Sequence, residues 1–86
     1  MSKHRLMTLL LDLCRQLAHR GAACRVTWMP PGCRRPRNLD CEIDSVGRTG
    51  RVNLRELFGH RYVTIPISRV RRIDRLHLTR SRFPAD

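Results

Sequence analysis

The chain has 86 residues, enough for one small domain, with 18 Lys plus Arg against 7 Asp plus Glu and a formal charge of +11. A chain this short buries only about 60–65% of its unfolded surface. That disfavours an enzyme with a deep private cleft and makes self-association a natural remedy. A hydrophobic share of 41% excludes a collagen-like or wholly disordered chain.

Residues 3–20 predict an amphipathic helix. Leu6, Leu9, Leu10, Leu13 and Leu17 form one apolar stripe with Met7 and Cys14 at its margin, and Thr8, Asp12, Arg15 and His19 lie opposite. Ser2 suits the N-cap and Gly21 the left-handed residue that ends a helix. Beyond Gly21 the period changes to two. Cys24, Val26 and Trp28 alternate with Arg25 and Thr27, so a half-buried strand is expected over 23–29, with Trp28 facing the core. Residues 29–38 carry three prolines, a glycine and three arginines, the composition of an exposed, stiffened basic loop.

A second strand is expected over 39–46, with Leu39, Cys41 and Ile43 inward, and a third over 51–56 after the turn Gly47-Arg48-Thr49-Gly50. Residues 53–59 also fit one short capped helix. A fourth strand follows over 61–67, with Pro66 marking an edge or a bend. The preferred continuation is a bend at Ser68-Arg69 and a final strand over 71–78, although Val70, Ile73 and Leu76 also keep a helical spacing. Residues 79–86 read as a frayed basic tail. The expected architecture is α+β: an N-terminal helix, then a small bent antiparallel sheet or barrel of four to five strands, in one domain over 1–78.

The charge points to an acidic partner. It is spread through the body of the chain: eight basic residues against three acidic ones in 1–43, ten against four in 44–86. Seventeen of the eighteen basic residues are arginines, whose guanidinium forks match phosphate oxygens and stay charged. Arg34, Arg35 and Arg37 load the first loop, and Arg69, Arg71, Arg72 and Arg75 load the segment after the fourth strand. Arg48 and Arg51 stand in second rank. These nine are the candidate nucleic-acid-binding residues, the bland alternative being a solvated basic surface. Few aromatics are placed to stack bases, so backbone-led contact with duplex DNA is expected over RNA. The loop 29–38 is a candidate arm for a minor groove. The function expected is nucleic-acid binding in transcription regulation or DNA organisation, by a homodimer. A protein-interaction module for an acidic surface of the transcription machinery is the rival.

Other chemistries find little support. The four cysteines, Cys14, Cys24, Cys33 and Cys41, include no CxxC pair, so free thiols are expected and no metal. No catalytic dyad, phosphate-cradling loop or nucleophile elbow is apparent, which predicts no enzyme activity, cofactor or small-molecule substrate. No 18-residue apolar run is present, so no membrane partner is expected. Lys3 and Arg5 ahead of an apolar run resemble a lipoprotein leader, but Asp12 and Leu13 break that pattern. An Arg-rich presequence over 1–25 stays open beside the cytoplasmic location expected.

A helix followed by about five short, bent strands resembles the Sm-like barrel family. The run Ile65-Pro66-Ile67-Ser68-Arg69-Val70 is similar to the Ile-Ser-x-Val stretch of the bacterial Sm-like RNA chaperone, and the Rho-inhibiting antiterminator type has a comparable tail. The chain departs from that family in its long Pro/Arg loop 29–38 and in lacking the Gln and Lys residues typical of its RNA pockets. The resemblance therefore transfers no binding residues. It implies, as a third reading, an RNA-binding ring of six or seven subunits.

Overall fold

The computed structural model describes residues 3–76. Helix α1 runs Lys3–Arg20. Gly21, at φ 61°, closes it: its amide reaches Ala18 O at 3.2 Å while Ala22 N reaches Leu17 O at 3.1 Å. These two bonds satisfy carbonyls that the helix end would leave orphaned. Cys14 and Leu17 are buried, and Met7, Leu10, Leu11 and Ala18 pack around them. The buried stripe is thus centred on Cys14 and keeps only Leu10 and Leu17 of the expected leucine stripe. Leu6, Leu9 and Leu13 stay exposed at 47%, 50% and 36%. The apolar arc is wider than the sheet can cover, and the small Cys14 and Ala18 allow the closer approach.

Five strands follow: β1 (Ala23–Trp28), β2 (Arg37–Val46), β3 (Arg51–Glu56), β4 (Tyr62–Pro66) and β5 (Val70–Arg75), with a 3₁₀ turn, η1 (Ile67–Arg69), between the last two. All neighbouring pairs are antiparallel and the order is β4-β3-β2-β1-β5. The sheet is open, with β4 and β5 at its edges, so the barrel alternative is not realised. Inward positions hold Cys24, Val26, Cys41, Ile43, Val52, Leu54 and Ile65, all buried, and α1 packs mainly across β2.

Several boundaries move. β2 starts at Arg37, two residues early, because Arg37 and Asn38 pair with Trp28 and Thr27, and the Thr27 hydroxyl donates to Asn38 Oδ1 at 2.7 Å. The loop is therefore residues 29–36. β3 ends at Glu56, and Leu57–Gly59 form a turn rather than a helix. The helix is excluded because residues 53–56 are committed to β3, pairing with β2 and, over 53–55, with β4; Gly59 and His60 then turn the chain at positive φ, 89° and 56°. β4 is shorter than expected, and Ile67 passes to η1, the bend expected at Ser68-Arg69. Val70 opens β5, which ends at Arg75; positions 77–78 of the expected strand, the tail 79–86 and the Ser2 cap lie outside the described residues. A register shift between Ile43 and Ser45 marks a bulge at Asp44 that bends the long β2.

Trp28 is only half-buried. It packs against the core, but its buried Nε1 has no hydrogen-bond partner.

Candidate nucleic-acid interface

The turn η1 organises the basic residues. Ile67 N donates to Gly50 O at 2.8 Å, and Met29 N donates to Arg69 O at 2.9 Å. Ile67 and Arg69 are two positions apart, so their Cα atoms lie at most about 7.6 Å from each other. The β2–β3 turn and the foot of the β1–β2 loop are therefore drawn to opposite ends of one short turn. Bending in β2 makes this approach feasible, because the two connections would lie at opposite ends of a flat sheet.

This arrangement gathers eight of the nine candidates around one rim. Arg37 sits opposite Trp28 on β1, with Val70 opposite Trp28 on the other side and Arg72 opposite Thr27. Arg34 and Arg35 precede Arg37 in the loop, and Arg69 and Arg71 flank Val70. Arg48 lies in the turn that η1 contacts, and Arg51 pairs with Pro66 just before η1. All eight are exposed. Arg75 is not brought to the rim. It pairs with Cys24 at the opposite end of β1 and lies beside Arg20 of α1.

The loop is anchored at its base and open at its tip. Pro30 is buried and its carbonyl accepts from Cys33 N at 3.1 Å, while Gly32 takes φ 76°. Beyond this turn, Cys33, Arg34, Arg35, Pro36 and Arg37 line a shallow depression of about 410 Å³. The loop is thus a folded turn carrying an arginine ridge, shorter than an extended arm.

Carboxylates sort the arginines into two sets. Asp12 pairs with Arg15, Asp40 with Arg25, Glu42 with Arg55, Glu56 with Arg61 and Asp74 with Arg72. Of the nine candidates only Arg72 has a carboxylate partner; the other eight make no ion pair among the described residues. Most of the pairing lies on the sheet face away from α1, where Arg25 grips Asp40 through two bonds of 2.7 and 3.1 Å. The Arg25 guanidinium holds the Asp40 carboxyl below its usual range. That face is a polar lattice, continued by Asn53 donating to Ser45 Oγ and Thr64 donating to Asn53 Oδ1.

The exposed aromatics sit beside arginines that carboxylates already hold. Tyr62 is 72% exposed and sits opposite Arg55, which is already held by Glu42 and His60. Phe58, 80% exposed, borders a depression shared with Arg25, Asn38, Asp40 and Glu56, whose carboxylates are already held by Arg25 and Arg61. Sequence reasoning overlooked Phe58. Its only signal was its place in a glycine-ended turn, where an apolar side chain has nothing to pack against. Phe83 falls outside the described residues.

The cysteines are all free. Cys24 and Cys41 face each other across β1 and β2 with sulfurs 4.0 Å apart, both fully buried. Burial pushes the Cys14 thiol up to about 11, and Cys41 is also raised, by its hydrogen bond with Cys24 and by burial. Cys14, Cys24 and Cys41 serve as core residues, and Cys33 stands half-exposed in the loop. Among the described residues no three His, Cys, Asp or Glu side chains gather to hold a metal, and no helix is long and apolar enough to cross a membrane.

No family model, curated protein or solved structure matches the chain.

Proposed function

We propose that this protein binds nucleic acid, duplex DNA in preference to RNA, through phosphate contacts from the arginine rim around η1. The observation that carries the reading is the division of the arginines: the acids neutralise the sheet face and, on the rim, hold Arg72 alone, leaving the other seven rim arginines without an ion pair among the described residues. Unpaired guanidinium groups clustered on one side attract a polyanion and engage phosphate oxygens in pairs. Phe58 and Tyr62 sit beside arginines already held by carboxylates, which favours backbone contact over base stacking. Regulation of transcription or organisation of DNA in the cytoplasm, by a homodimer, completes the proposal.

Fluorescence anisotropy with a labelled duplex and a single-stranded RNA, each across a salt series, tests it. About six phosphate contacts give a slope of about −5 in log affinity against log salt for the duplex. Reversing Arg34, Arg35 and Arg37 to Glu flattens that slope by about 3. Loss of binding to both ligands at about 0.15 M salt overturns the reading.

A second reading follows from the unpaired edges of the sheet, β4 and β5. Helix-first order and the Ile67-Ser68-Arg69-Val70 hand-over between them support the Sm-like resemblance. An Sm-like RNA-binding ring would sediment as a ring-sized assembly and prefer the RNA.

A further inference from the structure

Helix α1 carries two apolar stripes, and the sheet uses one. The other, Leu6, Leu9 and Leu13, follows i, i+3, i+7 along the exposed side. At its C-terminal end it runs into a groove of about 240 Å³ between α1 and β5, lined by Leu13, Gln16, Leu17, Arg20, Ile73 and Arg75. Leu13, Leu17 and Ile73 make an apolar floor, while the exposed Arg20 and Arg75 stand at its margins. Neither arginine has an ion pair among the described residues, and no acid lines the groove.

Charge selects the occupant. A second copy would bring its own α1, which has Asp12 as its single acid, already held by Arg15 at 3.3 Å. Its Arg20 would add to the positive charge, with no carboxylate for the groove arginines. An acidic amphipathic helix supplies both missing halves, an apolar ridge for the floor and carboxylates for the margins. We propose that the Leu6–Leu9–Leu13 stripe and the α1–β5 groove dock an acidic amphipathic helix of another protein, its carboxylates meeting Arg20 and Arg75. This surface is separate from the arginine rim. Arg75 pairs with Cys24, four residues along β1 from Trp28, about 13 Å away.

The test uses the full chain and a labelled peptide of about 16 residues, long enough to populate a helix, with Leu at helical spacing and Glu between. A matched peptide carries Lys in place of Glu. Saturable binding of the Glu peptide alone is expected at about 0.15 M salt. The double variant Arg20→Glu with Arg75→Glu should weaken it about tenfold or more. The neutral pair Leu9→Gln with Leu13→Gln should weaken it similarly while leaving duplex DNA binding unchanged. The Arg34, Arg35 and Arg37 reversal should leave peptide binding in place, so the two surfaces fail separately. Circular dichroism checks that each variant folds; should the leucine pair not fold, the arginine pair decides. Equal binding of both peptides, no binding, or indifference to the arginine pair overturns the proposal. So does a dimer that the leucine pair dissociates, which would make a second copy the occupant.

Discussion

Arg25 and Asp40 show how one side chain sets the condition of another. Two bonds across β1 and β2 stabilise the Asp40 carboxylate and lower its pKa from the unfolded value. The stability this contributes is complete above the ordinary carboxyl value of about 3.9 and is lost as pH falls through the lower folded value. Acid unfolding followed by circular dichroism should therefore steepen below about pH 4. Asp40→Asn should be less stable at neutral pH and show less of that steepening; an identical acid profile would remove Asp40 from the account. Pairing of this kind is invisible to composition, because partner strands choose which arginines are neutralised. The cysteines are the converse. Their inward register on β1 and β2 was readable from alternation alone, whereas the 4.0 Å approach of Cys24 and Cys41 needed the pairing register.

Among the elements, η1 has the largest consequence for its size. Three residues join the two edges of the sheet and receive both turns that carry basic residues. Gly50 makes the approach possible. It has φ +81°, and a Cβ there would stand 3.3 Å from Ile67 Cγ2. Gly50→Ala should cost about 1–2 kcal/mol from the left-handed backbone alone. Urea unfolding measures that loss. Anisotropy at low temperature, with the variant still folded, should show weaker duplex binding as η1 shifts and the rim spreads. Unchanged affinity would mean that the rim does not depend on this contact. Helix α1 teaches a different lesson. The single leucine stripe read from the sequence splits in the fold: Leu10 and Leu17 pack on the sheet, while Leu6, Leu9 and Leu13 stay exposed. The sheet took the stripe with Cys14 and Ala18, since small residues let the helix sit closer and Leu17 fill the space beside them.

Across the whole molecule, a uniform excess of +11 becomes two kinds of surface. The sheet face joins Arg25 and Arg55 to carboxylates, and the η1 rim leaves all its arginines but Arg72 without an ion pair among the described residues. Replacing Arg25 and Arg55 with Gln removes two charges from the paired face; replacing Arg35 and Arg69 with Gln removes two from the rim. The rim pair should flatten the duplex salt slope by about 2, and the sheet-face pair should leave it nearly unchanged. Equal slopes for the two variants would show that net charge alone governs binding.

Sequence alone determined the helix over 3–20, the strand alternation, most of the sheet's inward residues and the excess of arginine, because these follow from local periodicity and composition. Tertiary structure decided the rest. It chose the stripe of α1 that is buried, sent Arg75 to the helix while gathering the other eight arginines at η1, and divided paired from free cations. Those outcomes depend on the bend in β2 and on register between distant strands. Residues far apart in the chain meet only when the sheet curls, and no local pattern encodes that meeting.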